Sequence, residues 1–489
     1  MDIKQLFTDN DINAVIEELK SGRNTPEPDI DLYVSQLDPA KHDIFDKSIR
    51  PDKTVKVDNP EPQQNGNPIA PGYTGGEKEN TRTEKVARIA LAIQKLIVKR
   101  AVAFTFGNPV NLNAEPEGEQ EKIVLNAVKK VLFSTKSRTI NRKVAREIFS
   151  TTEAAELWYP VEKPGNYGFP TKFKLRVAIF SPANGDKLYP YFDETGDMTA
   201  FSREFVIEDN KGKKITYFET YTDTEHRMWK QEESAWVIVE GYPKINIIGK
   251  IPVIYGKQDF VEWQDVQGLI DRLEILLSNF ADTNDYHGSP KIVLKGKLMG
   301  FAKKGESGAI LEMEQGDDGT EPDAKYLSWE HAPQSVKLEI ETLLRMIYTI
   351  TQTPDISFDS VKGIGAVSGI ALKLLFLDAH LKVQDKMEIF DDYLQRRLSI
   401  IQAYLGQFKT DLKAACESLT IEPEIVPYMI EDEQAKVDLL KAANGNKAIA
   451  SQKTTVGQLG WVNDSNAEYD QILKEESANS VADIFNPTE

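Results

Sequence analysis

The stretch SFDSVKGIGAVSGIALKLLF, residues 357–376, joins a glycine-rich run to the start of a long apolar helical pattern. Lys362 stands beside the glycines, and the apolar pattern runs from Ile370 to about Leu405. A glycine-rich loop that opens a helix is typical of phosphate binding when a strand precedes it. The same stretch also fits a flexible link between two helices, or a mobile loop that contacts a passing polymer.

The context of the glycines argues against a nucleotide site. A helical pattern that Thr353-Pro354 interrupts precedes them, where a phosphate loop would need a strand. Their GxGxxxG spacing differs from the dinucleotide fingerprint GxGxxG, and the chain contains no GxxxxGK[ST] sequence. A nucleotide-binding enzyme that uses the loop from Gly363 to Gly369 therefore stays as an alternative hypothesis.

Two apolar patterns with alternating steps of three and four residues come before the glycine run, and they predict helices that pack along their length. The first contains Trp263, Val266, Ile270, Leu273, Leu277 and Phe280, and the second contains Val336, Ile340, Leu343, Ile347 and Ile350. A strand-like insert between them carries lysines first and mostly acidic residues after Glu306. This order predicts a hairpin-shaped stalk with a β tip.

The remaining segments predict helices on both sides of a β region. Residues 57–80 are rich in Pro, Gly, Asn and Gln, which indicates a long loop or arm. Helical patterns cover residues 85–106, 117–133 and 138–157. Short β-rich runs between residues 172 and 255 predict an antiparallel meander. The tail over 409–489 has seven Lys and fifteen Asp or Glu, with two short helical patterns.

Composition limits the classes of function. The 489 residues include 59 Lys and Arg and 77 Asp and Glu, a formal net charge of −18. Such a chain is not expected to grip nucleic acid over a broad surface, although it could let DNA slide past. A single cysteine, five histidines and no paired-histidine spacing predict no metal site. The first residues do not resemble a signal peptide, and no stretch approaches the ~20 apolar residues of a membrane span.

Two charged groups are candidate sites. The pairs Glu339 with Glu341 and Asp391 with Asp392 lack a positioned nucleophile, histidine or metal set, so we interpret them as solvated helix faces and predict no catalytic residue. The lysines of the insert could contact phosphate, or could protect an exposed strand edge. This second group is Lys291, Lys295, Lys297, Phe301, Lys303 and Lys304.

In their order, these segments resemble the portal protein of tailed bacteriophages, in the family typical of long-tailed phages of Gram-positive hosts. The sequence TPDISFDSVKGIGAVSGIALKLLFLDAHLKVQDKMEIFDDYLQRRL resembles the tunnel loop followed by the long wing helix. DVQGLIDRLEILLSNFADTNDYHGSPKIVLKG resembles the first stem helix entering the clip, and IASQKTTVGQLGWVNDSNAEYDQILKEE resembles the C-terminal crown segment. LIVKRAVAFTFGNPVNL resembles an N-terminal helix of the family that ends in a G-x-P-V turn.

The resemblance implies an α+β portal fold with a helical stem, a β-containing clip, an α/β wing with a long helix and a helical C-terminal crown, assembled as a ring-shaped homo-oligomer. The implied domains are an N-terminal arm with a Pro/Gly-rich loop (1–85), the wing (86–260), the first stem helix (261–290), the clip (291–332), the second stem helix (333–354), the tunnel loop (355–368), the long wing helix (369–408), and the crown and tail (409–489).

The implied function is structural and not enzymatic, and it needs no cofactor. Twelve copies would form a ring at one capsid vertex, through which double-stranded DNA is packaged and ejected. The ring would dock the terminase large subunit and later the head-completion adaptor, and would nucleate procapsid assembly with scaffolding and major capsid proteins. The protein is expected in the virion, and in the host cytoplasm during assembly. An oligomeric structural adaptor without a channel stays as an alternative.

The resemblance also implies roles within the tunnel loop. The glycines would let the backbone change its angles. Lys362 would contact phosphate transiently, and Ile364 and Val367 would pack against a neighbouring loop or the DNA groove. The candidate residues of the loop are Asp355, Ser357, Asp359, Lys362, Gly363, Ile364, Gly365, Val367, Ser368 and Gly369.

Overall fold

The computed structural model describes most of the chain outside the Pro/Gly-rich arm, much of the insert and the glycine loop. The described residues are 6–8, 11–23, 25–56, 81–208, 212–233, 235–287, 292–295, 297–298, 313–314, 323–326, 332–355, 376–429, 433–445, 447–461 and 465–485.

The described part of the chain contains twelve α-helices of four or more residues. They are α1 (Ile12–Ser21), α2 (Ile30–Leu37), α3 (Ile93–Phe106), α4 (Glu119–Ser134), α5 (Ser137–Thr151), α6 (Gln267–His287), α7 (Ala332–Ile350), α8 (Leu377–Phe408), α9 (Lys413–Ser418), α10 (Glu433–Asn444), α11 (Gln452–Leu459) and α12 (Ser465–Phe485). The strands are β1 (Lys53–Lys56), β2 (Thr81–Glu84), β3 (Asn111–Asn113), β4 (Glu153–Asn166), β5 (Pro170–Phe180), β6 (Lys187–Phe192), β7 (Met198–Glu208), β8 (Lys214–Tyr221), β9 (Glu225–Glu232), β10 (Ala235–Ile238), β11 (Lys244–Ile245), β12 (Val253–Lys257), β13 (Ile292–Lys295), β14 (Lys297–Leu298), β15 (Met313–Glu314), β16 (Asp323–Tyr326) and β17 (Glu422–Glu424).

The β region contains two sheets where the sequence predicted a single meander. Strands β6 to β10 form an antiparallel meander in sequence order, with β11 paired to β9. Strands β5 and β12 instead flank β4 in a separate three-stranded sheet. The prediction was wrong because it extended the third helix to residue 157. Thr152 has a left-handed φ of 69° that ends α5, and residues 153–158 form a strand that is buried along its whole length. A strand buried on both faces shows no two-residue alternation.

The first long helix also begins later than predicted. Its pattern starts at residue 85, but α3 begins at Ile93, and residues 85–91 are extended. Three alternate amides of this segment donate hydrogen bonds to side chains of α6. The bonds join Ala87 N to Asp282 Oδ1 (2.7 Å), Ile89 N to Ser278 Oγ (2.9 Å) and Leu91 N to Glu274 Oε1 (2.7 Å). These external acceptors replace the intrahelical ones, so the segment lies along α6 without forming a helix.

The predicted pair of packed helices is confirmed in α6 and α7. Ile270 and Leu273 of α6 and Leu343 and Ile347 of α7 are buried in the same core, and Arg272 donates two hydrogen bonds to Glu339 across the pair. The start differs from the pattern, since Trp263 precedes α6 and the next residues form a short 3-10 helix (Gln264–Val266). The insert between them is strand-like as expected, with antiparallel pairs β13–β16 and β14–β15.

The long helix α8 crosses the main core. Its 32 residues span about 48 Å. It packs with α3, α4 and α5 and with the sheet of β12, β4 and β5, and it buries Phe390, Leu394, Leu398 and Ile401 there. The predicted start at residue 370 lies outside the described residues. A second core joins α1 to the meander, where Ile16 and Leu19 pack near Phe218 and Trp229.

Within its described residues, the tail over 409–489 contains two helices more than predicted, α9 and α11. The two predicted patterns form α10 and α12, and α11 lies between them. Ser451 caps α11 through a hydrogen bond from the Thr454 amide, and Gly460 ends it with a left-handed φ of 74°. The sequence therefore marked α11 with a serine N-cap and a terminal glycine that have eight residues between them.

Candidate functional site

The structure places the two ends of the glycine-rich loop. Asp355 follows α7, and Phe376 immediately precedes α8. The predicted loop residues from Ser357 to Gly369 lie outside the described residues. The geometry of the candidate site is therefore that of its base, which three elements build.

The first element of the base is the C-terminus of α7, which lies just before the loop. Gln352 has a left-handed φ of 49° and donates its amide to the carbonyl of Thr349 at 3.1 Å. The Thr353 amide donates to the carbonyl of Tyr348 at 2.9 Å. These two bonds are those of a Schellman motif, in which glycine usually occupies the left-handed position. The motif ends α7 sharply, directly before the loop.

Replacing Gln352 with glycine should raise the free energy of unfolding by up to about 1 kcal/mol, because glycine adopts a left-handed φ without the clash of a Cβ. Denaturant unfolding at fixed protein concentration would measure the change. Gln395→Gly, in the exposed interior of α8, is the matched control and should cost about 1 kcal/mol. A loss of stability in Gln352→Gly equal to that of the control would contradict the assignment of strain to this residue.

A buried charge cluster that includes two lysines of α8 contacts the C-terminus of α7. Lys382 donates to the carbonyl of Thr351 at 2.9 Å and lies 2.6 Å from Glu262 Oε2. Lys386, one turn later, lies 2.6 Å from Glu262 Oε1. Burial lowers the pKa of Lys382 below its usual value. Burial alone would raise the pKa of Glu262, but the two ammonium groups outweigh it and lower that pKa. The cluster therefore connects the residues before the loop to the helix after it.

Helix α3 contacts both ends of the loop. Arg100 donates to the carbonyl of Pro354 at 2.6 Å, and its guanidinium lies over the ring of Tyr348. Phe104 packs against Phe376, with ring centroids 5.5 Å apart. A cavity of about 10 Å³, the size of one water, lies between these groups and Lys382. The base of the loop is thus held by α3, α7 and α8 together.

The second predicted site is described only in part. Lys295 lies in β13 and Lys297 in β14, whereas Lys291, Phe301, Lys303 and Lys304 lie outside the described residues. The strand register places Lys295 opposite Asp323 and Lys297 opposite Glu314. Strands of the lysine half of the insert therefore pair with strands of its acidic half.

Helix α6 carries polar residues that the apolar pattern did not single out. Glu274 and Ser278 are buried, and with Asp282 they recur every four residues along one face. Besides the amides of residues 87–91, they bind the N-terminal segment. His42 Nδ1 lies 2.7 Å from Glu274 Oε1, and Arg50 donates to Asp282 Oδ2 at 2.7 Å. The sequence feature that could have revealed these residues is the four-residue spacing of polar side chains within a heptad pattern.

The stability contributed by the His42–Glu274 pair should depend on pH. Burial alone lowers the pKa of His42, but the hydrogen bond and the charge of Glu274 outweigh it, so this pKa is raised above its usual value of about 6.5. The pair's contribution is therefore complete below pH ~6.5, and it is lost as pH rises through the raised pKa of the folded state. The difference in unfolding free energy between the native protein and His42→Gln should shrink over that range.

Denaturant unfolding between about pH 6 and pH 9 would measure this difference. His380→Gln is the matched control, since His380 lies 3.4 Å from the carbonyl of Tyr428 and contacts no carboxylate in the described part of the chain. If the difference in unfolding free energy between the native protein and His42→Gln stays constant with pH, the charged His42–Glu274 pair is refuted.

The acidic pairs take part in packing contacts on the helix surface. Glu339 accepts from Arg272, and Glu341 lies 3.7 Å from Lys337. Burial, followed by the charge of Asp392, raises the pKa of Asp391. Within the described ranges, no group of three or more His, Cys, Asp or Glu could hold a metal ion. Among the described helices, none has both the length and the apolar character that crossing a membrane requires.

Residues 30–481 match the family described as "Phage portal protein, SPP1 Gp6-like". No curated protein matches the chain.

Solved structures that resemble the chain include the neck of an empty gene transfer agent (GTA) particle computed with C6 symmetry. It is 12% identical and has a TM-score of 0.39, and the match covers 75% of this chain and 89% of that one. The neck of the native GTA particle, computed with C12 symmetry, is 12% identical with a TM-score of 0.39, covering 75% and 88%. The virion of the native particle is 11% identical with a TM-score of 0.35, covering 75% and 88%. These are likenesses only, and the family assignment does not depend on them.

The family match includes both stem-like helices, the base of the glycine loop and the long helix, and it extends over nearly the whole chain. It confirms the resemblance found in the sequence. The chain belongs to the SPP1 Gp6-like family of phage portal proteins.

Proposed function

We propose that twelve copies of this protein form a ring at one vertex of a phage head, and that double-stranded DNA passes through the ring during packaging and ejection. The family assignment carries this proposal. The family is structural rather than enzymatic. Its portal role makes the protein a component of the phage particle.

The base of the glycine loop supports the channel role. Residues 356–375 begin and end on a base that Arg100, Lys382 and Phe104 hold in place. A loop fixed in this way can change its conformation without displacing the helices that carry it. This arrangement suits a tunnel loop that contacts DNA, with Lys362 as its phosphate contact.

Exposed apolar side chains support assembly into a ring. On α7, Leu338, Met346 and Ile350 are exposed, with Leu338 at 63%. In the C-terminal helices and their connections, Ile449 is 90% exposed and Trp461 67%. Large apolar side chains that one copy leaves in water are expected to contact neighbouring copies.

The finer assignments follow the implied domains. The proposed clip (291–332) would bind the terminase large subunit during packaging and the head-completion adaptor afterwards. The proposed stem helices (261–290 and 333–354) and tunnel loop (355–368) would surround the channel. The proposed wing (86–260 and 369–408) and crown (409–489) would contact scaffolding and major capsid proteins when the procapsid is nucleated in the host cytoplasm. The arm (1–85) would cover the stem.

Light scattering and negative-stain images of the same chromatographic peak would test the proposal. A ring of about twelve copies with a central hole would support it. A closed oligomer without a hole would favour the structural adaptor. A monomer that also fails to form rings with scaffolding and capsid proteins would refute the ring.

Lys362→Glu should slow DNA packaging by up to about fivefold, the effect of losing one exposed charge contact worth up to ~1 kcal/mol. An in vitro packaging assay with the mutant ring would measure rate and completeness. Lys163→Glu, which reverses the charge of an exposed lysine on β4 in the proposed wing, is the matched control for charge. Unchanged packaging by Lys362→Glu would exclude the phosphate contact while leaving the ring intact.

A further inference from the structure

The turn between α4 and α5 carries a dense group of cations in an otherwise acidic protein. Residues 129–146 contain seven Lys or Arg and no Asp or Glu, although the chain has a net charge of −18. All seven of these side chains are exposed. The concentration of positive charge is therefore local, and the overall composition does not explain it.

Four basic side chains converge on one cavity at this turn. The cavity has a volume of about 690 Å³, and Lys136, Lys143, Arg146 and Arg176 contribute to its wall. We call these four residues the basic turn surface. None of them forms an ion pair with another described residue. The wall also contains Glu147, whose carboxylate accepts a hydrogen bond from Ser181 Oγ at 2.5 Å.

Other polar groups lie at the same place. Thr139 contributes a hydroxyl group to the cavity wall, whereas the hydroxyl groups of Ser134 and Thr135, also in the wall, donate to the carbonyl of Val131. Helix α5 begins there with Lys136 at its N-cap, and no side chain caps its first amides. Lysine and arginine, hydroxyl groups and helix N-termini are the groups that contact phosphate oxygens in complexes with nucleic acid.

The cations continue along α5. Arg138, Arg142 and Arg146 are four residues apart and lie on one face, about 6 Å from one another along the axis. Arg142 already has hydrogen-bond partners within the protein, because it donates to the carbonyls of Phe106 and Gly107. The other two have no described carboxylate partner, so the row extends the positive surface beyond the cavity.

We propose that the basic turn surface binds the phosphate backbone of double-stranded DNA without sequence preference, at a site outside the glycine loop and its base. Cations of α5 and β5 that lack a described ion-pair partner match a duplex backbone, and the release of counterions from the DNA would drive binding. This site goes beyond the proposed function, since it requires neither the glycine loop nor a ring.

An acidic polypeptide is the competing ligand. A second cavity of about 810 Å³ adjoins the turn, and Phe133 at its edge is 87% exposed. A protein partner would be expected to bury Phe133 as an apolar anchor. The mainly polar wall of the first cavity favours phosphate, and Phe133 provides the means to separate the two ligands.

Fluorescence anisotropy with a random-sequence duplex of about 30 base pairs, titrated with the full-length protein at several salt concentrations, tests the site. Lys143→Glu/Arg146→Glu should weaken binding by about 10- to 100-fold and reduce the slope of log K against log salt by about 2. Lys447→Glu/Lys453→Glu makes the same charge change on exposed lysines of the C-terminal part and should bind almost as the native protein does. Phe133→Ser should also bind normally.

Circular dichroism and light scattering would establish that each variant is folded and assembled as the native protein is. Equal weakening in the two double variants would overturn the proposal, since only net charge would then matter. An altered oligomeric mass in Lys143→Glu/Arg146→Glu would assign the surface to contact between copies instead. Binding of polyglutamate in place of DNA, lost in Phe133→Ser, would assign it to an acidic protein.

Discussion

Replacing Arg397 with methionine should lower the free energy of unfolding by about 3–5 kcal/mol, because it leaves a buried carboxylate without its counter-charge. Arg397 on α8 is 2% exposed and Glu156 on β4 is 0% exposed. Arg397 donates from Nε to Glu156 Oε1 at 2.8 Å and from Nη2 to Oε2 at 2.6 Å. Its third nitrogen, Nη1, donates to Asn141 on α5 at 2.5 Å. One side chain therefore joins α8, α5 and the central strand of the three-stranded sheet.

A double-mutant cycle would separate the ion pair from the packing. Arg397→Met combined with Glu156→Leu removes both charges, and it should be more stable than Arg397→Met alone. Arg396→Met is the control at the neighbouring position, where no described carboxylate is bound, and it should cost less than about 1 kcal/mol. Denaturant unfolding measures the native protein, Arg397→Met, Glu156→Leu, the double variant and the Arg396→Met control. A single Arg397→Met variant as stable as this control would show that Glu156 does not need its partner.

Replacing Lys382 with methionine should cost about 2–3 kcal/mol and loosen the base of the glycine loop. The change removes the ammonium donor to the Thr351 carbonyl and one of the two cations that face Glu262. Hydrogen exchange at the amides of residues 351–353 should become faster, since those residues lose their link to α8. Unfolding measurements and exchange would be made on the same preparation.

Lys386→Met is the matched control for this change. It also removes a cation from Glu262, but leaves the bond between Lys382 and Thr351. It should therefore destabilise the protein less and leave exchange at residues 351–353 nearly unchanged. Equal acceleration in both variants would show that the charge on Glu262, and not the bond to the carbonyl, holds the base.

Repeating apolar patterns predicted the elements that pack as helices on helices. The seams of α6 and α7 and the length of α8 could be recognised because one face of each is apolar over several turns. Two errors have a common cause. The hydrogen-bonding partners of residues 85–91 and 153–158 are distant in sequence, so the local pattern could not show that these two segments are not helical.

The sequence predicted the loop of the candidate site, whereas the structure describes the residues at the base of that loop. The roles of Lys362 and the glycines stay predictions, as do those of the insert lysines. Lys382 and Glu262 were not singled out, because a charged residue in a helical pattern usually faces solvent. Only the fold brings together two residues that are 120 positions apart. The basic turn was visible as a run of charge, but its cavity depends on Arg176 from β5.

The extended segment along α6 has a consequence for which substitutions the chain can accept. Two residues of a strand advance about 6.6 Å and four residues of a helix rise about 6 Å, so alternate amides meet successive turns. Since this segment binds through its backbone, these bonds exclude only proline, at Ala87, Ile89 and Leu91. The helix binds through side chains, so Glu274, Ser278 and Asp282 must stay hydrogen-bond acceptors. A saturation library of both elements should therefore be permissive on the extended segment and restrictive on the helix.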